Sequence, residues 1–370
     1  MSDVATRDRL RLARTRRVGP VTYRQLVRRF GSASAALDAL PQLVRNAGGQ
    51  AFAAAPLSAV EAEMARVAAF GARHLFVDDP DYPPLLRQLE NAPAVLIVRG
   101  RVELLTRRIV AIVGARNASA AACRFARQIA QELGEAGVTV VSGLARGIDT
   151  AAHVGAAERG DTVAVIGSGI DISFPPENAP LQQRLGDEQL VITEQPPGVE
   201  PLARNFPHRN RIIAGLALGT LVVEAAPRSG SLLTARMAGD AGREVMAVPG
   251  SPLDPRAQGC NGLIRDGATL VQSAEDVIEA LAPIDPAHLR PQVASPVFDF
   301  AAAPDELLEE ASPNNAAQRL SALLGPVAVS VDELARQSGL GAAAVGHILL
   351  DLELAGRVER HAGGRVSAIA

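Results

Sequence analysis

The residues of this chain best equipped for chemistry are arginines and small hydroxyl-bearing side chains set in four short stretches. "GARNAS" (Gly114 to Ser119) carries Arg116, and "SGLARGID" (Ser142 to Asp149) carries Ser142, Gly143, Arg146 and Gly147. "NFPHRNRIIAGLA" (Asn205 to Ala217) gathers Phe206, His208, Arg209, Asn210 and Arg211, and "EAAPRSGSLLTA" (Glu224 to Ala235) offers Ser229, Ser231 and Thr234. Guanidinium forks beside glycine-containing backbone suit a phosphate-like anion, because glycine admits close approach and the planar fork bonds an oxyanion twice. A G-x-S-x-G elbow, a histidine pair at metal spacing and a Walker A loop are all missing, so no catalytic residue and no metal ligand is assigned.

Those stretches must be held by regular elements. Ile109 to Val113 is an unbroken run of β-branched and small apolar residues, which reads as a strand buried on both faces. Ala120 to Ala136 then repeats Phe125, Ile129 and Leu133 at helical spacing, Gly137 serves as C-cap, and Val138 to Val141 makes a second buried strand. This is a βαβ unit with parallel strands and a right-handed crossover. The alternation continues through strands at Val163 to Ile166, Leu190 to Thr193, "GTLVVEA" and "REVMAVPG", with Ala94 to Val98 as an added strand. An open, doubly wound sheet follows, with ligands expected beyond the carboxyl ends of its strands.

A nicotinamide dinucleotide is the obvious ligand for such a sheet, yet only Gly114 of the three fingerprint glycines is present in the first loop. The second strand also ends in Ser142-Gly143 where a ribose-binding carboxylate belongs. At the third stretch, Pro207 fits a first helical turn, and His208, Arg209 and Arg211 then crowd the positive end of the helix dipole. A bound anion would compensate them, as would carboxylates such as Glu194 or Glu224. Phe206 reads equally as a stacking face or a core residue, Ser231 as a phosphate donor or a plain N-cap, and Asp149 as the N-cap of a helix from Thr150 to Glu158.

Composition bounds the partners. The 370 residues are 48% hydrophobic with 33 glycines, which suits two or three α/β-type domains. The net charge of −3 neither invites nor forbids nucleic acid, since a local patch binds phosphate. All 37 basic residues are arginine, so every cationic phosphate contact must be a guanidinium. Cys123 and Cys260 make no metal-type spacing and suit a reduced cytosolic setting. The N-terminus has no apolar signal core and no run reaches membrane-spanning length; the expectation is a soluble cytoplasmic protein without a membrane partner.

The ends differ in character. Asp8 to about Phe70 reads as short helices with a turn at Gly19-Pro20 and a basic cluster including Arg14, Arg16, Arg17, Arg24, Arg28 and Arg29. Such a segment fits a helix-hairpin accessory on nucleic-acid backbones, or simply solvated arginines. Pro283 to Pro313 is rich in Ala, Pro and Asp and reads as a linker. Ala316 to Ala370 reads as three helices and a hairpin around Gly363-Gly364, a winged-helix module. Its expected recognition helix, Ala342 to Ala355, offers His347 and Asp351 but no arginine, which favours protein docking over duplex reading.

The ordered motifs "YPPLLRQLENAPAVLIVRG", "VGARNAS", "SGLARGIDTAAH", "VIGSGID", "FPHRNRIIAGL", "SGSLLTA", "VMAVPG" and "GCNGLIRDGA" together resemble the DNA-processing protein A family, also called Smf. The resemblance covers about Asp81 to Leu281. It implies an extended Rossmann-like, doubly wound and mainly parallel sheet, preceded by a SAM-like helical domain and followed by a winged-helix domain. The chain then divides into a helical domain over 1–72, a DNA-binding domain over 73–284, a linker over 285–315 and a winged helix over 316–370. The resemblance further implies a homodimer that binds and protects single-stranded DNA and loads the recombinase RecA during natural transformation, without cofactor or catalysis.

Carried over residue by residue, Arg116 in "GAR" matches the family's DNA-contacting arginine, and Ser142, Gly143 and Gly147 match its phosphate loop, with Gly114 and Arg146 in the same loops as further candidate DNA-binding residues. Phe206, Arg209, Asn210 and Arg211 match the motif lining the basic pocket, and Ser229 and Ser231 add hydroxyl donors. His208 stands where some relatives carry Lys, and an imidazole is mostly uncharged near neutral pH. Two alternatives accompany this reading. A nucleotide-binding phosphoribohydrolase-like enzyme requires Glu224 to face the pocket, and a winged-helix duplex-DNA-binding regulator requires Ala342 to Ala355 to enter a groove.

Overall fold

The computed structural model describes residues 3–46, 53–282, 313–361 and 363–369. They form two compact units, one of residues 1–61 with 292–370 and one of residues 62–291. The first begins with helices α1 (Asp3–Ala13), α2 (Pro20–Phe30), α3 (Ala33–Asn46) and the start of α4 (Leu57–Ala69). Helix α2 starts where Gly19 leaves extended backbone and Pro20 takes the first position, the one place where a missing N–H costs nothing. Gly31 closes it in the left-handed conformation at φ 77.

The second unit holds β1 (Arg73–Phe76), α5 (Pro84–Arg87), β2 (Val95–Gly100), β3 (Ile109–Val113), α6 (Ala120–Glu135), β4 (Thr139–Ser142), α7 (Ile148–Arg159) and β5 (Thr162–Val165). It continues through α8 (Ala179–Glu188), β6 (Leu190–Thr193), α9 (Asn205–Leu216), β7 (Gly219–Val222), α10 (Gly230–Asp240), β8 (Glu244–Ala247), α11 (Gln258–Arg265), β9 (Thr269–Leu270) and α12 (Ala274–Leu281). The nine strands lie in the order β1-β2-β6-β5-β4-β3-β7-β8-β9. Pairing is parallel from β6 across to β9, while β1 and β2 are antiparallel to each other and β2 is antiparallel to β6. Every residue of β3, β4, β5, β6 and β7 is buried, as expected of strands covered by helices on both faces.

The sheet is therefore doubly wound and mainly parallel, as expected. β1 and the two-residue β9 were not legible as strands, since edge strands this short carry no period. The helix after "SGLARG" begins at Ile148 with Gly147 at the cap position, so Asp149 lies inside its first turn rather than at its N-cap. Ser229, and not Ser231, caps α10. Most of the expected linker lies outside the described residues.

The chain ends in α13 (Pro313–Ala322), β10 (Val329–Ser330), α14 (Val331–Ser338), α15 (Ala342–Leu354), β11 (Val358–His361) and β12 (Arg365–Ala368), with strand order β10-β12-β11. This is a winged helix around Leu320, Leu334, Val345, Leu349, Leu352, Val358 and Val366. Among the described residues no helix is long and apolar enough to cross a membrane.

Under the sheet, His153 of α7 is fully buried, and its Nδ1 lies 2.8 Å from the Thr162 hydroxyl. Thr162 donates its one proton to the Val140 carbonyl, so the imidazole N–H is the donor between the two. Burial pushes His153 down to about 3, so the folded state holds it neutral while an unfolded chain protonates it below about pH 6.5. The unfolded state thus binds the extra proton, and stability falls as pH drops from about 6.5 toward 3, by up to about 1.4 kcal/mol per pH unit for this group. Urea titrations of the wild type and His153→Gln at several pH values check this. The variant should lose part of the wild-type slope below pH 6.5, and an identical slope would count against it.

Candidate nucleic-acid interface

The carboxyl ends of β3, β4 and β5 open into a recess of about 540 Å³, its open mouth included. Arg116 approaches from the loop after β3, Gly143, Ala145 and Arg146 from the loop after β4, and Ile166, Gly167 and Ser168 from β5 onward. Phe174, Pro175 and Pro201 close one side, and Phe206 and Arg209 enter from the first turn of α9.

Phe206 is the centre of this arrangement. The Arg116 guanidinium lies 5.0 Å from its ring centroid and that of Arg209 lies 5.9 Å away, both within cation–π range. Phe174 faces it at 5.9 Å with the ring planes tilted by 40°. An aromatic surface framed by two cations presents a stacking face beside positive charge. Arg116 itself is exposed and makes no ion pair among the described residues.

Arg209 is held from beneath. Its Nη1 lies 4.0 Å from Asp149 Oδ2, both side chains are less than a tenth exposed, and the pair sits under the loop after β4. Burial pulls the Arg209 guanidinium down to about 10; Asp149 opposes that shift and Arg116 adds to it, leaving the group cationic at neutral pH. Burial likewise raises the Asp149 carboxyl, opposed by Arg209 and by the amides of Ala145 and Gly143. The fit demands glycine at 143, where a Cβ would fall 1.3 Å from Arg209 Nη1. Gly147 is equally constrained, at φ 73 with its missing Cβ 2.4 Å from the Ala115 carbonyl oxygen.

Three amides of these loops are held by carboxylates. Asp149 accepts from Gly143 N at 3.2 Å and from Ala145 N at 3.3 Å. At the crevice between β3 and β7, where the winding of the sheet reverses, Glu224 accepts from Ser119 N at 3.0 Å and from the Ser119 hydroxyl at 2.8 Å. An internal carboxylate thus occupies the start of α6, the place where a doubly wound sheet ordinarily binds phosphate. The chain's own carboxylates thus take the amides of Gly143, Ala145 and Ser119, and the positive charge lining the recess comes from guanidinium groups.

Of the residues singled out in the sequence, Arg116, Gly143, Arg146, Phe206 and Arg209 come together in the recess. Arg146 is exposed and ion-paired to Glu177. Gly114 lies against Ile148, and Ser142 is fully buried with its hydroxyl donating to Ile112 O at 2.6 Å; neither lines the recess. His208 and Asn210 sit on α9 outside the recess lining, the former exposed.

Arg211 is a correction. It is 8% exposed, its Nη2 lies 2.7 Å from both carboxylate oxygens of Glu194, and Nη1 lies against the Asn91 carbonyl. A buried guanidinium needs partners, and Glu194 on the far side of α9 provides one; the anion Arg211 binds is part of the protein. Ser229 and Ser231 are likewise redirected, bonded to each other at 2.7 Å at the start of α10 and outside the recess. Phe174 was missed in the sequence, although an isolated aromatic in a chain with 3% aromatics, inside a loop between two buried strands, was a usable signal. Glu224 is turned to Ser119 and not into the recess, contrary to what the phosphoribohydrolase reading requires.

Comparison with known proteins fits this geometry. Residues 73–282 match the family described as DNA recombination-mediator protein A, residues 3–66 a DprA-like N-terminal HHH domain, and residues 302–364 a DprA winged helix domain. The chain is 40% identical over 296 residues to protein Smf of Escherichia coli, covering 79% of this chain and 77% of that one. The X-ray structure of DNA processing protein A from Streptococcus pneumoniae superposes with a TM-score of 0.62 at 33% identity, covering 73% of this chain and 95% of that one. A structure of DNA processing protein A from Helicobacter pylori, described for its single-stranded DNA binding mode, matches with a TM-score of 0.53 at 25% identity, over 57% of this chain and 96% of that one. With its sheet and both terminal modules matched, this chain belongs to the DNA processing protein A (Smf) family.

Proposed function

We propose that the recess takes one unpaired base of a single DNA strand against Phe206, while Arg116 and Arg146 hold the flanking phosphates. The observation that carries this reading is the Phe206 ring framed by Arg116 and Arg209 inside a recess at the strand ends. Stacking on an aromatic face is worth about 1 to 3 kcal/mol per base and tolerates any sequence. Duplex DNA competes poorly, because its bases are already paired and stacked. The single-stranded DNA described for the Helicobacter pylori relative supports the choice of ligand.

The recess binds without reacting. Its lining offers no carboxylate, thiol or imidazole, and its one serine, Ser168, donates its hydroxyl to the Ile172 carbonyl at 2.8 Å. Arg146 reaches a phosphate by exchanging its exposed partner Glu177, a pair that solvent already screens. Family membership supports two further elements of the proposal. Two copies pair and align their recesses along one strand, which multiplies affinity through effective concentration. The bound strand is then handed to the recombinase RecA in the cytoplasm.

Three substitutions separate the roles. Arg116→Ala should weaken binding of a single-stranded oligonucleotide and flatten the dependence of log K on log salt by about 0.7, the value of one phosphate contact on a single strand. Phe206→Ala should cost about 1 to 3 kcal/mol of affinity and leave the salt slope unchanged. Arg211→Ala should instead lower folding stability by about 1 to 3 kcal/mol, since Glu194 and the Asn91 carbonyl lose their donor, with the slope intact. Fluorescence anisotropy across a salt series and urea melts read all three. Wild-type affinity and slope in both Arg116→Ala and Phe206→Ala would contradict the proposal.

A further inference from the structure

Helix α15 buries apolar residues on two opposite faces. Val345, Ile348, Leu349 and Leu352 recur at helical spacing and pack into the winged-helix core. His347, Leu350, Asp351 and Leu354 recur at the same spacing on the other side, the side a recognition helix would turn toward a DNA groove. Leu350 is 2% exposed and Leu354 is fully buried, although neither belongs to that core. Leucines buried outside that core need a second cover.

The cover is the N-terminal part of the same unit. Helix α3 packs against α15. Arg29, at the end of α2, places Nη1 3.5 Å from Asp351 Oδ1. Arg17, in the turn between α1 and α2, donates from Nη1 to the Leu354 carbonyl at 3.2 Å. Gly356 follows at φ 72, and a Cβ there would fall 2.7 Å from the Arg17 guanidinium carbon, so the turn after α15 is shaped to seat that side chain. Burial raises the Asp351 carboxyl, with Arg29 and then His347 opposing the shift. Arg29 therefore faces a carboxylate, and Arg17 the neutral last carbonyl of a helix at the negative end of its dipole.

We propose that the carboxyl end of α15 is an internal stand-in for phosphate, a latch that occupies Arg17 and Arg29 of the N-terminal helices until a nucleic-acid backbone displaces it. The two guanidinium groups suit phosphate oxygens because each already donates to or faces an oxygen of α15, Arg29 a carboxylate and Arg17 a helix-end carbonyl, with further arginines in the turn that carries Arg17. In the latched state Leu350 and Leu354 on the groove-facing side are covered, so α15 is not free to enter a duplex groove, and the basic cluster of the helical module is partly neutralised. A phosphate backbone, from a single strand or a duplex, exchanges for Asp351 and the Leu354 carbonyl and releases the module.

The full-length chain tests this with single-stranded and duplex oligonucleotides of equal length. Asp351→Asn removes the anion at a site that is about a third exposed, and Asp332→Asn makes the same charge change at an exposed position of the same module. Asp351→Asn should raise affinity several-fold and steepen the salt slope by about 0.7 on the single strand and 0.9 on the duplex, one added contact in each case. Asp332→Asn should leave the slope at the wild-type value, and adding Arg29→Gln to Asp351→Asn should cancel the gain. The duplex arm reads the latch apart from the recess, which needs an unpaired base. In the unmodified protein, added oligonucleotide should speed amide exchange in the last turn of α15. An Asp351→Asn effect no larger than that of Asp332→Asn, a gain that survives Arg29→Gln, or unchanged exchange in α15 would each overturn the latch.

Discussion

The buried pairing of Arg209 with Asp149 is the constraint on which the recess depends. A guanidinium more than nine-tenths buried must have a carboxylate nearby, and Asp149 meets that need while also accepting from two amides of the loop after β4. One carboxylate thus fixes the loop, the arginine and, through the arginine, the orientation of Phe206. Gly143 is the steric counterpart, since any side chain there would expel Arg209. The cost of keeping a charge under the sheet rim is offset by one carboxylate 4.0 Å away, which itself accepts from two amides of the loop.

The same logic explains why the binding surface is cationic and not a nest of free amides. Doubly wound sheets ordinarily bind phosphate at the helix start beside the switch in winding. This chain fills that position with Glu224 on Ser119, and the recess proposed to take the ligand lies one strand along, at the ends of β3, β4 and β5. What remains to meet a ligand is an aromatic face with guanidinium groups around it. That combination tracks a backbone and stacks a base without reading sequence.

The parallel strands and their helices were legible because each is a buried run of period-breaking β-branched residues or an amphipathic helix bounded by glycine. Arg116, Gly143, Arg146, Phe206 and Arg209 were legible as a group because small residues beside arginine at strand ends have few structural uses. Which arginines face outward was not. Arg209 and Arg211 are two positions apart on α9, yet one lines the recess over Asp149 and the other turns to Glu194 and Asn91, a difference that depends on carboxylates sixty and seventeen residues away in the chain. Phe174 also escaped, since a loop aromatic reveals its partner only when the loop is placed.

The central claim is that Phe206 receives a base, and photocrosslinking addresses it directly. A single-stranded oligonucleotide carrying iodouracil, irradiated on the full-length protein and followed by peptide mapping, should place its crosslinks on the peptides containing Phe206 and Phe174. Crosslinks confined to other surfaces, or undiminished by excess unlabelled single strand, would contradict the account.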